Sequence, residues 1–195
     1  MTLPDLGTER PIVGEILAFL KSRSAEKLEH VHGNLVEHLD GTYALLRDWG
    51  NHADVCHAGL CHAVYGTDGF ATALLDVNSD REDLVRLIGG RAEALVYFYA
   101  SCDRAHVYPQ IGVSTSVRFR DRFNGTSFVP DESLFASFME LTFANELDIL
   151  GKDHRLVEQT RPHFGPLFSR SRALVSRQAF AYFVSLFGEA DMGRA

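Results

Sequence analysis

Hydrophobic residues recur at Ile12, Ile16, Phe19 and Leu20, a spacing that predicts a helix from Pro11 to about Ser22. A longer pattern runs through Leu28, Val31, Leu35 and Leu39 to Leu45 and Leu46, with Gly41 as a candidate kink or break. Residues Asp54 to about Tyr65 are small and apolar, as in a central buried helix, and Gly66 follows as a stop. In SDREDLVRLIG, Ser79 and Glu82 stand three apart, the spacing of a capping box. RAEALVYFYASCD, from Arg91, reads as another largely buried helix. Pro130 and Asp131 introduce a long helix that reaches about Leu150. A final amphipathic helix spans about Ser176 to Phe187. Its Phe180, Tyr182, Phe183 and Phe187 suit either a core cover or a homodimer contact.

One stretch breaks the helical rhythm. VRFRDRFNGTSFV, residues 117–129, alternates basic and apolar positions around Asn124-Gly125. Asn-Gly favours a two-residue type I′ turn, so a small β-hairpin insertion is expected here. The fold class that follows is all-α, with that hairpin near 117–129. Residues 1–195 are read as a single helical domain, since the length suits one core.

Charge narrows the partners. The formal net charge is −7, which disfavours nucleic acid and acidic membranes, because phosphate binding needs a local excess of Lys and Arg. No apolar run reaches the length of a membrane span, and the N-terminus lacks an apolar signal core. Cys56, Cys61 and Cys102 are an odd number without a CxxC pair, which fits reduced thiols and a cytoplasmic location. The expected partner is a small-molecule ligand.

Two histidines carry the candidate chemistry. His38 and His62 fall on consecutive predicted helices, about two dozen positions apart. Antiparallel helices bring such residues face to face. His30, Asn34 and His38 share one helix stripe, because steps of four nearly complete a turn. His57 and Cys61 also share a face, but two ligands are too few for zinc.

The stretches AGLCHAVYGT from Ala58, LVRLIGGRAEALVYFY from Leu84 and LTFANELDIL from Leu141 resemble the HD superfamily of helical metal-dependent hydrolases and oxygenases. The likeness is nearest to the hydrolase domain of stringent-response alarmone enzymes and covers roughly residues 30 to 150. HLDGT, AGLCHAVYGT and RFRDRFNGT also resemble a bacterial family of domains without an assigned function. The HD resemblance implies an HD-like helical bundle holding one divalent metal ion, with His38 and His62 as ligands and Asn145 at the last ligand position. Ala63 stands where the family has an aspartate, and its methyl cannot bind a cation. Asn145 offers only a neutral carbonyl oxygen. Asp148, three residues on, is a substitute ligand.

Asp103, Arg104, Arg118, Arg120 and Arg122 are candidates for substrate binding, because arginine forks match carboxylate and phosphate. The plainer alternatives are a helix-end ion pair at Asp103 and a solvated strand face for the hairpin arginines. Two functional classes stay open. One is a metal-dependent, hydrolase-like enzyme acting on a small anionic molecule, with an iron-dependent oxygenase as a minor variant. The other is a non-catalytic ligand-binding or regulatory module that has lost its metal.

Overall fold

The computed structural model describes residues 9–31 and 33–188, with side chains from residue 12. Among these residues the chain is all-α, with two short antiparallel strand pairs. The helices are α1 (Glu9–Ser22), α2 (Leu35–Asp48), α3 (Ala53–Cys61), α4 (Arg81–Ile88), α5 (Gly90–Ala100), α6 (Arg104–Val107), α7 (Glu132–Leu150), α8 (His154–Arg170) and α9 (Arg177–Phe187). The strand pairs are β1 (Glu29–His30) with β2 (Gly33–Asn34), and β3 (Phe119–Arg120) with β4 (Ser127–Phe128).

Helix α7 runs through the middle. It packs on α2, α3 and α5 along its length and on α8 and α9 near its C-terminal half, while α3 also packs on α2 and α5. Phe98, Phe119 and Phe138 form one aromatic cluster, with Phe98 stacked on Phe119 at 3.9 Å. Phe143, Phe168, Phe183 and Phe187 form another under α8 and α9. The aromatic side of α9 therefore covers the core.

Local chemistry sets most boundaries. Asp131 accepts from the amides of Ser133 and Leu134, which starts α7 where Pro130-Asp131 predicts. The Ser176 hydroxyl accepts from the Ala179 amide and starts α9.

The long pattern from Leu28 does not form one helix. Gly33 takes a φ of 123°, which a helix cannot contain, and the chain turns back as the β1–β2 pair. Asn34 then caps α2 in a reciprocal box with Glu37. The box expected at Ser79 and Glu82 is absent. Asp76 instead accepts from the Asn78 and Ser79 amides and from the Ser79 hydroxyl, so Ser79 has no hydroxyl acceptor aimed at α4.

Two other expectations are adjusted. Asn124-Gly125 does not make a two-residue type I′ turn, because Gly125 alone of the pair has positive φ. Asp121 holds a longer turn by accepting from Phe123 and Asn124. Helix α8 was not anticipated. It contains Pro162 and Pro166, each lacking an amide hydrogen, yet it runs on to Arg170 against the core.

Candidate functional site

Helix α2 carries His38 toward α7, and the helix ends place two other groups nearby. His62 caps the C-terminus of α3, and Arg104 opens α6. The β1–β2 pair lays His30 over His38, with rings 4.1 Å apart and 9° from parallel. The stripe expected for His30 and His38 fails as a helix, yet the hairpin brings the two rings together.

His38 is buried and both of its ring nitrogens face oxygen. Nδ1 lies 2.7 Å from Asp148 Oδ2 and Nε2 lies 3.0 Å from Asn145 Oδ1. Asn145 is oriented by its other end, where Nδ2 donates to Glu146 Oε1 at 3.0 Å. Its carbonyl therefore meets Nε2, and both His38 nitrogens are engaged by side-chain oxygens. Arg104 donates to the same Glu146 oxygen at 3.2 Å and to the Tyr99 hydroxyl at 3.0 Å. Lys152 closes the far end on Asp148 Oδ2 at 2.8 Å. The result is a continuous chain of hydrogen bonds: Lys152, Asp148, His38, Asn145, Glu146, Arg104.

Burial works against the Asp148 carboxylate, but hydrogen bonds from His38 and Lys152 hold its pKa below the ordinary value. Burial also opposes the Arg104 charge, while Tyr99, Tyr108 and Glu146 around it raise its pKa above the usual arginine value. Gly41 makes the Asp148 position possible. A Cβ at residue 41 would overlap the Asp148 carboxylate. The helix is continuous there, so Gly41 is a notch and not a kink.

His62 behaves differently. Its Nδ1 donates to the Gly59 carbonyl at 2.8 Å. Burial, aided by the nearby charges of His38 and Arg104, pushes its pKa down to about 3. The ring is thus neutral, and its Nε2 is a bare acceptor with no hydrogen-bond partner among the described residues. His62 meets His38 edge to face at 5.2 Å.

A cleft of about 500 Å³ opens over this network. Its polar lining comes from His30, His62, Thr67, Asn145, Glu146 and Arg104, and its apolar walls include Ala63, Phe70 and Ile149. Glu29 stands at the same cleft. Of the residues expected to hold a substrate, only Arg104 lines it. Asp103 caps α6 and pairs with Arg120 at 3.6 Å, so these two charges meet each other. Arg122 bonds to the Ala100 and Gly66 carbonyls, and Arg118 has an exposed side chain. The hairpin's strands stand on α6 and the Phe98 cluster, and Arg120 and Arg122 tie it to Asp103, Ala100 and Gly66 and not to the cleft.

The structure brings His38, His62, Asn145 and Asp148 together, but as a relay and not as a coordination shell. No group of three or more His, Cys, Asp or Glu side chains among the described residues is arranged to hold a metal ion. The residues do not fit the divalent ion that the HD resemblance implies. His38 has both nitrogens engaged, Ala63 presents a methyl, and the Asn145 oxygen is turned to His38. Cys61 is fully buried and its thiol is pushed up to about 12, far from a thiolate ligand or nucleophile.

Glu146 and Tyr99 escaped sequence reasoning. Nothing in their spacing distinguishes them from ordinary helix residues, and only the adjacency of Glu146 to Asn145 gave a signal.

A family model described as a domain of unknown function (DUF6817) matches residues 19–104. The match contains His38, His62 and Arg104 and ends before α7, which supplies the other half of the network. No curated protein and no solved structure matches the chain. Among the described residues, no helix is long and apolar enough to cross a membrane.

Proposed function

We propose that this chain is a metal-independent small-molecule-binding module, and that its HD-like sequence pattern reflects a related helical scaffold whose ligand positions serve a hydrogen-bond relay. The observation that carries this reading is the double engagement of His38 by Asp148 and Asn145. A metal ligand needs a free ring nitrogen, and His38 has none in this arrangement. Of His38 and His62, only His62 keeps an open nitrogen among the described residues, and His30, Glu29 and Glu146 at the same cleft are not grouped with it as a metal shell. The cleft has the volume of a small-molecule site, with apolar walls and a few converging polar groups. The test is elemental analysis of the purified protein, before and after incubation with Zn²⁺, Mn²⁺ or Fe²⁺, beside His38→Ala and His62→Ala. The expected result is no stoichiometric metal in any sample. One bound equivalent that disappears in His62→Ala would overturn the reading and restore the metal-dependent hydrolase.

A further inference from the structure

The polar atoms left unspent at the cleft define what it can accept. His62 contributes Nε2, a lone pair without a proton. Glu146 contributes a second acceptor. Its Oε1 receives both Arg104 and Asn145, while Oε2 has no partner among the described residues. Arg104 contributes donors. One N–H of each terminal nitrogen is used, on Glu146 and Tyr99, which leaves the others and Nε–H uncommitted. These three groups set two acceptors beside one fork of donors; Glu29, His30, Thr67 and Asn145 also line the cleft, with the Phe70 ring and the Ala63 and Ile149 side chains as apolar wall.

Charge points the same way. The Arg104 cation is already met by Glu146, and Glu29 adds a second carboxylate. An ion made only of acceptors, such as a carboxylate, would satisfy Arg104 but would face the Glu146 oxygen and the His62 lone pair, and a phosphate would bring still more negative charge to Glu146 and Glu29. The Glu146 oxygen and the His62 lone pair would lose water and gain nothing.

We propose that the cleft selects a neutral planar group with an N–H donor beside a carbonyl acceptor, the pattern of a primary carboxamide or a cyclic ureide, over carboxylate and phosphate anions. The carbonyl oxygen takes the free Arg104 donors, and the N–H group is shared between His62 Nε2 and Glu146 Oε2. The ligand's apolar body lies on the Phe70 side. This assignment rests on the small-molecule reading above, and its test does not depend on the metal analysis.

The experiment is a titration of the full chain with matched probes: nicotinamide and uracil against nicotinate and inorganic phosphate. Binding is followed by NMR through the ring nitrogens of His62, whose acceptor nitrogen shifts when it receives a hydrogen bond. The amide and the ureide should bind and move the His62 signal, with the two anions weaker by about tenfold or more. Glu146→Gln, close to isosteric, should narrow that preference, because it removes the repelling charge; its melting temperature and His38 signals report that the fold is kept. Equal or tighter binding of nicotinate or phosphate would overturn the assignment, as would binding that leaves the His62 nitrogens unmoved, or no binding by any probe. None of these results bears on the metal content, so the earlier reading stands or falls separately.

Discussion

Helix α7 carries two buried glutamates, six positions apart, that have opposite fates. Glu140 accepts from the Ser176 amide through one oxygen, and from Asn51 at 3.0 Å and the Ser176 hydroxyl at 3.3 Å through the other. Both of its oxygens are consumed in tying α7 to the start of α9 and to the α2–α3 turn. Glu146 spends one oxygen on Arg104 and Asn145 and turns the other to a cleft. Burial is nearly equal, at 7% and 8% exposure, so burial does not separate the two roles. The unspent hydrogen-bonding capacity does. Glu140 is cement, and Glu146 is a group waiting for a partner.

The comparison can be broken by experiment. The largest effect is expected from His62, the other unspent group. The unfolded ring takes a proton near pH 6.5, whereas the native ring resists until about 3. Stability from this group is fully present above pH 6.5 and is lost as pH falls toward 3, with a slope of up to about 1.4 kcal/mol per pH unit. Urea unfolding across that range should show the slope in the wild type and its loss in His62→Gln. An unchanged slope would mean that the native ring protonates freely.

The isosteric pair Glu140→Gln and Glu146→Gln tests the contrast directly. In the first, the new amide must face a donor on one side or the other, with an expected cost of about 2–3 kcal/mol. In the second, the amide oxygen keeps Arg104 and Asn145 and the NH₂ turns to the cleft, so the cost should stay below about 1 kcal/mol. Equal losses in thermal unfolding would erase the distinction.

Gly41→Ala comes next. Alanine in a helix normally stabilises by about 1 kcal/mol over glycine. Here it should destabilise by about 2 kcal/mol, because the Asp148 carboxylate must leave its place. In an Asp148→Ala background the same change should turn neutral or stabilising, a coupling that a double-mutant cycle reads. The smallest effect is expected at Tyr108, whose buried hydroxyl has no hydrogen-bond partner among the described residues. Tyr108→Phe should leave stability unchanged or raise it by up to about 1 kcal/mol.

Much of this molecule was legible in its sequence, and the boundary of legibility is physical. Periodicity located α1, α3, α5, α7 and α9, since their apolar stripes face one core. Caps at Asp131 and Ser176 acted through their own local hydrogen bonds, so they were readable in place. The facing of His38 and His62 followed from helices packed side by side, and Asn145 was added only by the family resemblance. What escaped were outcomes of competition between groups, near or distant in sequence, that periodicity does not rank. Asp76 drew Ser79 away from its expected cap. Asp103 and Arg120 neutralised each other across a turn. Asp148 became a partner of His38 in place of a metal ligand, because Gly41 left room for it.

That vacancy at Gly41 has a consequence for the history of the chain. A side chain at 41 and a carboxylate at 148 exclude each other, so neither position is free to drift alone. The order of substitution matters: glycine must precede the aspartate's docking on His38, and the aspartate must go before glycine can be given up. Relatives that carry a larger residue at the position of Gly41 are expected to lack the carboxylate at that of Asp148. Their histidine would then have a free nitrogen, and a metal would again have somewhere to bind.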